Sequence, residues 1–356
     1  MTTHPTAQAH PTRSAHHEDG YRFLAGVALP WNPRVVVVGL GAVLAAVIGV
    51  MLALSVGDLG VSPADLPAVL AGNGSKIQTW SVFDSRLPRA LAALGVGALF
   101  GMSGAVWRSV ARVRRGGRGV IGLSAGAAAG AAIVSLFFSS IPVPVGALVG
   151  GLVAVTIVVA GSGSGLAAPH RMVVIGIGVA AMSVAVIQFV LARAKEEQAL
   201  AIAGWINGSL AARNWDHVQI VAIMVPILGL LAIMASRGLS VLEMGDETAR
   251  GLGVAVNRTR ILAVGIGVVL AAVAVVLAGP IAFVALVAPQ VGRRLTRATG
   301  PGIVIAALVG AVLLCLADVL AQHAFPSPVP VGITTAGVGG VYLAFLLMRE
   351  WRRASA

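Results

Sequence analysis

Two arginines, Arg86 and Arg89, bracket Leu87-Pro88 and stand immediately before a long uncharged apolar run. Guanidinium groups make bidentate bonds to carboxylates, so this spacing suits recognition of acidic groups on a soluble partner. Anchoring at a membrane interface with snorkelling stems is the plainer use. A second group runs from acid to base. Glu243, Asp246 and Glu247 precede Arg250 within Ser240–Gly253, an order that complements the dipole of a short helix. A solvated linker is the alternative there. Third, Gly279-Pro280 and Ala288-Pro289 interrupt apolar sequence, because proline lacks an N–H and clashes with the preceding turn. A bilayer tolerates broken helices only where the freed backbone is buried in protein or lines a cavity. Gly279, Pro280, Phe283 and Pro289 are therefore expected close to a translocation path, a plain kink being the alternative.

Several other chemistries are excluded. Neither lysine, Lys76 or Lys195, follows a glycine, so the phosphate-cradling Gly-Lys of a Walker A loop is missing. Cys315 is the single cysteine, which rules out an intrachain disulfide and a metal site built on cysteines. His4, His10, His16 and His17 are irregularly spaced in a polar stretch and read as part of an unstructured tail. The apolar runs hold almost no ionisable group except Asp318. A proton-coupled secondary transporter, the alternative from a different class, ordinarily needs buried acids or histidines in its path.

The elements that must position these groups are membrane spans. Only 11% of the residues are charged and mean hydropathy is +0.93, against roughly 25% charged in soluble domains. The length suits about ten spans of roughly 20 residues with their loops. Val35–Val56, Ala90–Trp107, Met172–Ala192, Val218–Ser236, Pro301–Ala317 and Val329–Met348 mark six of them. Pro142 and Pro144 divide Gly119–Gly161 into two, and Gly279-Pro280 divides Ile261–Gly292 into two more. Lys and Arg then fall nineteen on the side of the termini and six on the other, which places both termini in the cytoplasm. The basic residues sit in short clusters between apolar runs, so the net charge of +12 does not indicate nucleic acid. The chain divides into a polar leader 1–34, expected to be disordered and cytoplasmic, a transmembrane domain 35–349 and a cytoplasmic tail 350–356. Small-residue runs such as Gly122–Ala132 predict close helix packing in lipid.

Six motifs in order carry a family resemblance. They are Arg86-Leu87-Pro88-Arg89 with Gly97–Ala105; Gly122–Ala127; Trp205 with Gly208-Ser209-Leu210; Gly245–Gly253; Ala278–Pro289; and Ala317-Asp318 with Val329–Ala336. Together they resemble the FecCD family of permeases over about Val35 to Arg349. The resemblance implies an all-α polytopic fold of about ten transmembrane helices, that of a FecCD-type (type II) ABC importer permease. It implies no enzyme activity and no cofactor on this chain, with ATP and Mg held by a separate dimeric ATPase. Arg86 and Arg89 would dock an extracytoplasmic substrate-binding protein. A coupling helix carrying Glu243, Gly245, Asp246, Glu247, Ala249, Arg250, Leu252 and Gly253 would seat on the ATPase. The implied substrate is a ferric siderophore moved across the cytoplasmic membrane, with haem or vitamin B12 as the alternative within the family.

The sequence also departs from the family pattern. Arg112–Arg118 replaces a usual RNPLADP loop, Arg108 stands for a glutamine, Gln290 for a histidine and Val341 for a proline, and Gln322 sits where some relatives have an arginine. Four arginines in one loop would repel a second copy nearby, so a heterodimeric pore is favoured over a homodimer. A degenerate subunit whose partner dominates transport is a further reading.

Overall fold

The computed structural model describes residues 21–24, 27–30, 33–57, 61–62, 65–111, 118–138, 140–161 and 169–354. A short antiparallel hairpin, β1 (Tyr21–Leu24) with β2 (Val27–Pro30), lies within the leader expected to be unstructured. The remaining described elements are helical. α1 (Pro33–Ser55) is followed by two short helices, α2 (Leu66–Leu70) and α3 (Lys76–Trp80). A π-helical turn, Ser81–Arg86, then leads straight into α4 (Leu87–Ala111). α5 (Arg118–Phe137), α6 (Val143–Gly161) and α7 (Pro169–Arg193) follow. Next come α8 (Glu196–Ile206), α9 (Trp215–Glu243) and α10 (Asp246–Gly251). α11 (Val256–Ala278), α12 (Ala282–Thr296), α13 (Ile303–His323) and α14 (Val331–Ala354) complete the chain.

Each span expected from the sequence coincides with one helix. Among the described residues, seven helices are long and apolar enough to cross a membrane, and Gly122–Phe137 and Val331–Tyr342 are shorter apolar helices. α12, at 15 residues, lies where the sequence places the remaining span of the ten. The breaks fall where backbone chemistry requires them. α5 ends at Phe137 and α6 begins at Val143, with Pro144 in its first turn, where a missing N–H costs nothing. α11 stops at Ala278 because Gly279 adopts φ +75°, which reverses the chain before Pro280.

Helix α4 is the central strut. The 18-residue apolar stretch within Lys76–Val110 is 89% buried, against 6% for that of α1 at the periphery. Small residues make that burial possible. A methyl at Gly97 would strike the carbonyl oxygen of Gly310, one at Gly101 that of Ala306, and one at Gly104 that of Ala285. α4 therefore touches α13 and α12 backbone to backbone, which replaces the hydrophobic driving force that lipid does not supply. Gly126 and Gly130 on α5 meet Gly146 and Gly150 on α6 in the same way. Large apolar side chains such as Leu40, Met182 and Met234 remain on the outside, on α1, α7 and α9, as a bilayer-facing surface demands.

Candidate functional site

Because α4 runs the length of the bundle, the functional groups collect at its two ends. At the first, Arg86 donates through Nη1 to the carbonyls of Leu54 (3.0 Å) and Val56 (2.7 Å). Helix ends leave such carbonyls without intrahelical donors, so Arg86 caps the end of α1. Arg89 grips Asp318 on α13 with two parallel bonds, Nε to Oδ2 at 2.9 Å and Nη2 to Oδ1 at 2.8 Å. The Asp318 side chain is 3% exposed, and Gln322 adds a third donor at 2.8 Å. Both oxygens of the carboxylate are thus engaged by donors. Trp215 donates its indole N–H to Phe83 at 2.9 Å, tying the start of α9 to the π-helical turn. Nearby, Arg213 meets His217 at 3.1 Å, and burial lowers the Arg213 pKa below the usual arginine value.

The break at Gly279 lies at this same end. Ser209 N–H donates to the carbonyl of Ala278 at 2.8 Å, and Gly332 N–H to that of Gly208 at 3.1 Å. The loop after α8 is thereby stitched to the end of α11 and the start of α14. A side chain at Gly279 would come within 2.7 Å of the Trp205 carbonyl oxygen and 2.9 Å of Gly208 Cα, so the junction admits only glycine. Phe283, the second residue of α12, packs its ring on Gly339 of α14.

Ala288-Pro289 behaves otherwise than the sequence suggests: α12 runs through it without a break. Proline there deprives the Ala285 carbonyl of its helical donor, but that carbonyl lies against Gly104 of α4. Packing against a neighbouring helix sustains a proline that would break an isolated one. Of the four expected path residues, Gly279 and Pro289 are buried and Pro280 and Phe283 half-buried in this chain.

At the other end, α9 finishes at Glu243. Its carboxylate accepts from Ser109 Oγ on α4 at 2.7 Å and from Arg293 Nη2 on α12 at 3.2 Å. Gly245, at φ +125°, turns the chain into α10. Asp246 is held by Arg260 of α11, whose Nη2 donates to Oδ1 at 2.9 Å and to Oδ2 at 3.2 Å. Ala249 is buried beneath the short helix, whereas Glu247, Arg250, Leu252 and Gly253 are exposed. Met244 and Leu252 are 68% and 63% exposed at its flanks. Arg108 donates to the Pro289 carbonyl at 3.3 Å, and its buried Nε and Nη2 have no hydrogen-bond partner among the described residues. Residues 112–117 of the arginine-rich loop lie outside the described residues. Among the described residues no three of His, Cys, Asp or Glu gather as metal ligands.

A model of the FecCD transport family matches residues 44–349, covering every contact just described. The chain belongs to the FecCD transport family. Ferric enterobactin transport system permease protein FepG of Escherichia coli is 38% identical over 323 residues, 90% of this chain and 98% of FepG. FepD, a second permease protein of the ferric enterobactin transport system of Escherichia coli, is 29% identical over 318 residues, 88% of this chain and 95% of FepD. A solved structure of a metal-chelate type ABC transporter in an inward-facing conformation shares the fold. It aligns with TM-score 0.77 at 24% identity, over 88% of this chain and 99% of that one. This FecCD protein is an integral membrane permease subunit of an ABC importer, working with a separate ATPase and a substrate-binding protein.

For this FecCD permease the sequence singles out residues at both ends of α4 but not their internal partners. Asp318 stands out in the sequence as an acid in an apolar run and within the Ala317-Asp318 motif, but nothing there pairs it with Arg89 or singles out Ser109, Arg260 and Arg293 as contacts. The available signal was charge complementarity between residues at the same end of different spans. Arg89 and Asp318 stand 229 residues apart, so no local pattern links them.

Proposed function

We propose that this permease carries a ferric siderophore inward across the cytoplasmic membrane, with the Glu243 end facing the cytoplasm. The excess of Lys and Arg on the side of the termini supports that orientation. The siderophore reading is supported by FepG, whose name assigns it to ferric enterobactin and which aligns over 98% of its length. The observation that carries the mechanism is α10. It is a short helix set off by positive-φ glycines at 245 and 253, with Met244 and Leu252 left exposed beside it. Exposed apolar side chains around a charged stub suit a cleft on a partner, and that partner is the ATPase.

On the outer face, Arg86 and Arg89 meet acidic residues of the binding protein. Arg89 does so through Nη1, the nitrogen that Asp318 does not engage. The path for the chelate passes Gly279, Pro280, Phe283 and Pro289, where α12 is uncoupled from α11. The second chain of the pore is a different FecCD member. The four arginines at 112, 114, 115 and 118 support this, as does the likeness to both FepG and FepD, two permeases named for one system.

Uptake of radioiron-labelled ferric enterobactin in cells lacking other permeases of the family tests the reading. Transport is expected with this chain, a FepD-like partner, the ATPase and the binding protein together. Gly245→Pro should abolish it while the chain still inserts. Full uptake by the Gly245→Pro variant, or by this chain without a partner permease, would overturn the corresponding claim.

A further inference from the structure

The Glu243 side chain is only 19% exposed and is bonded away from α10, into the bundle. It stands two residues before Gly245, so any movement of α10 that rotates the end of α9 acts on this carboxylate. Its two acceptor oxygens reach separate helices, Ser109 on α4 at 2.7 Å and Arg293 on α12 at 3.2 Å. α12 is the element able to respond, because the Gly279-Pro280 break separates it from α11. Arg108, next to Ser109, holds α12 at a second point through the Pro289 carbonyl and lies within coulombic range of both Glu243 and Arg293. Asp246 ties α10 to α11 through Arg260.

We infer that Glu243 is a positioning residue that passes movement of the inner loop to α12 through Ser109 and Arg293, rather than a contact for the ATPase. The inference rests on residues 243–253 being the ATPase seat. Charge-assisted hydrogen bonds are directional, which lets a small rotation of α9 pull on α12. The Arg293 side chain is 36% exposed, and half-exposed pairs contribute little to folding. Loss of this pair should therefore appear in the efficiency of transport more than in the amount of folded chain.

The test uses the complete transporter in proteoliposomes, with ferric enterobactin as the probe. The readouts are chelate carried per ATP hydrolysed and the stimulation of hydrolysis by the binding protein. Glu243→Gln should lower both by about tenfold, the ordinary range for coupling between sites. Arg293→Gln should do the same, and the double variant should fall no further, because the two residues act as one unit. Wild-type ratios in Glu243→Gln, or additive losses in the double variant, would overturn the relay. Gly245→Pro separates the two levels of the argument. If it also leaves both ratios at wild type, the ATPase seat itself is misassigned; if it alone lowers them, only the relay fails. Should Glu243→Gln not assemble, Ser109→Ala decides. It keeps the ion pair and removes one bond, so lowered ratios support the relay and wild-type ratios refute it.

Discussion

At the Arg86 end a buried carboxylate is surrounded: Asp318 receives two bonds from Arg89 and one from Gln322 at 3% exposure. At the Glu243 end a more accessible carboxylate is divided, one oxygen to α4 and one to α12, at 19% exposure. The chemistry of the pairs is the same and their mechanical consequence differs. A bidentate pair between two helices fixes their separation and angle together, and its burial makes rupture costly. A carboxylate shared between single bonds to separate helices constrains neither completely, so the helices can shift while contact persists. A brace at the Arg86 end and a linkage at the Glu243 end is what the proposed drive from the Glu243 side requires.

The largest expected effect breaks the brace. Asp318→Ala strands the Arg89 guanidinium among buried groups and should cost about 3 kcal/mol or more. Little folded chain should then reach the membrane, measured by its level there and its melting midpoint in detergent. Replacing both partners, Arg89→Met with Asp318→Leu, should recover most of the lost stability, because the penalty lies in the unpaired charge. If Asp318→Ala melted like wild type, the contrast between the ends would disappear.

A smaller effect tests the strut that joins the two ends. Gly104→Ala drives a methyl into the Ala285 carbonyl oxygen of α12, and overpacking of this kind costs about 1–3 kcal/mol. Gly265→Ala on α11, where nothing lies within 4 Å of the added carbon, should leave stability unchanged or slightly raised. Equal melting midpoints for the two variants would mean that α4 and α12 are not in backbone contact.

The spans were readable from sequence because charge is expensive in lipid, which leaves long uncharged runs, and because Gly279-Pro280 interrupts a helix wherever it falls. Pro289 was misread for a related reason. Whether a proline breaks a helix depends on what neighbours supply, and the Gly104 surface that accommodates it comes from a span far away in sequence. α2, α3 and α8 were missed because short helices in loops carry no span-length signal. The pattern Arg86-Leu87-Pro88-Arg89 is plain in the sequence, but the direction of the two side chains is not. Leu54, Val56 and Asp318, which orient them, belong to α1, its continuation and α13. The acids Glu243 and Asp246, expected from sequence to face the ATPase, are bonded to the permease itself.

The smallest expected effect concerns Arg108, and it sharpens the comparison because a naive reading predicts a large one. Arg108 is a half-buried cation beside a functional carboxylate, and its Nη1 reaches the Pro289 carbonyl at 3.3 Å. That single bond is long. Against it stand Nε and Nη2, buried without hydrogen-bond partners among the described residues, each carrying an unrecovered desolvation cost of about 1–3 kcal/mol. Arg293 adds repulsion from a second cation. Arg108→Gln gives up this long bond, removes the repulsion and discards both orphaned nitrogens. The gain and loss should nearly cancel, leaving stability within about 1 kcal/mol of wild type. Chelate carried per ATP should also stay close to wild type, because Ser109 and Arg293 still hold Glu243. Melting midpoints and transport ratios measured beside Glu243→Gln decide the matter. A collapse of stability in Arg108→Gln would make the inner end a second brace and remove the distinction between the two ends.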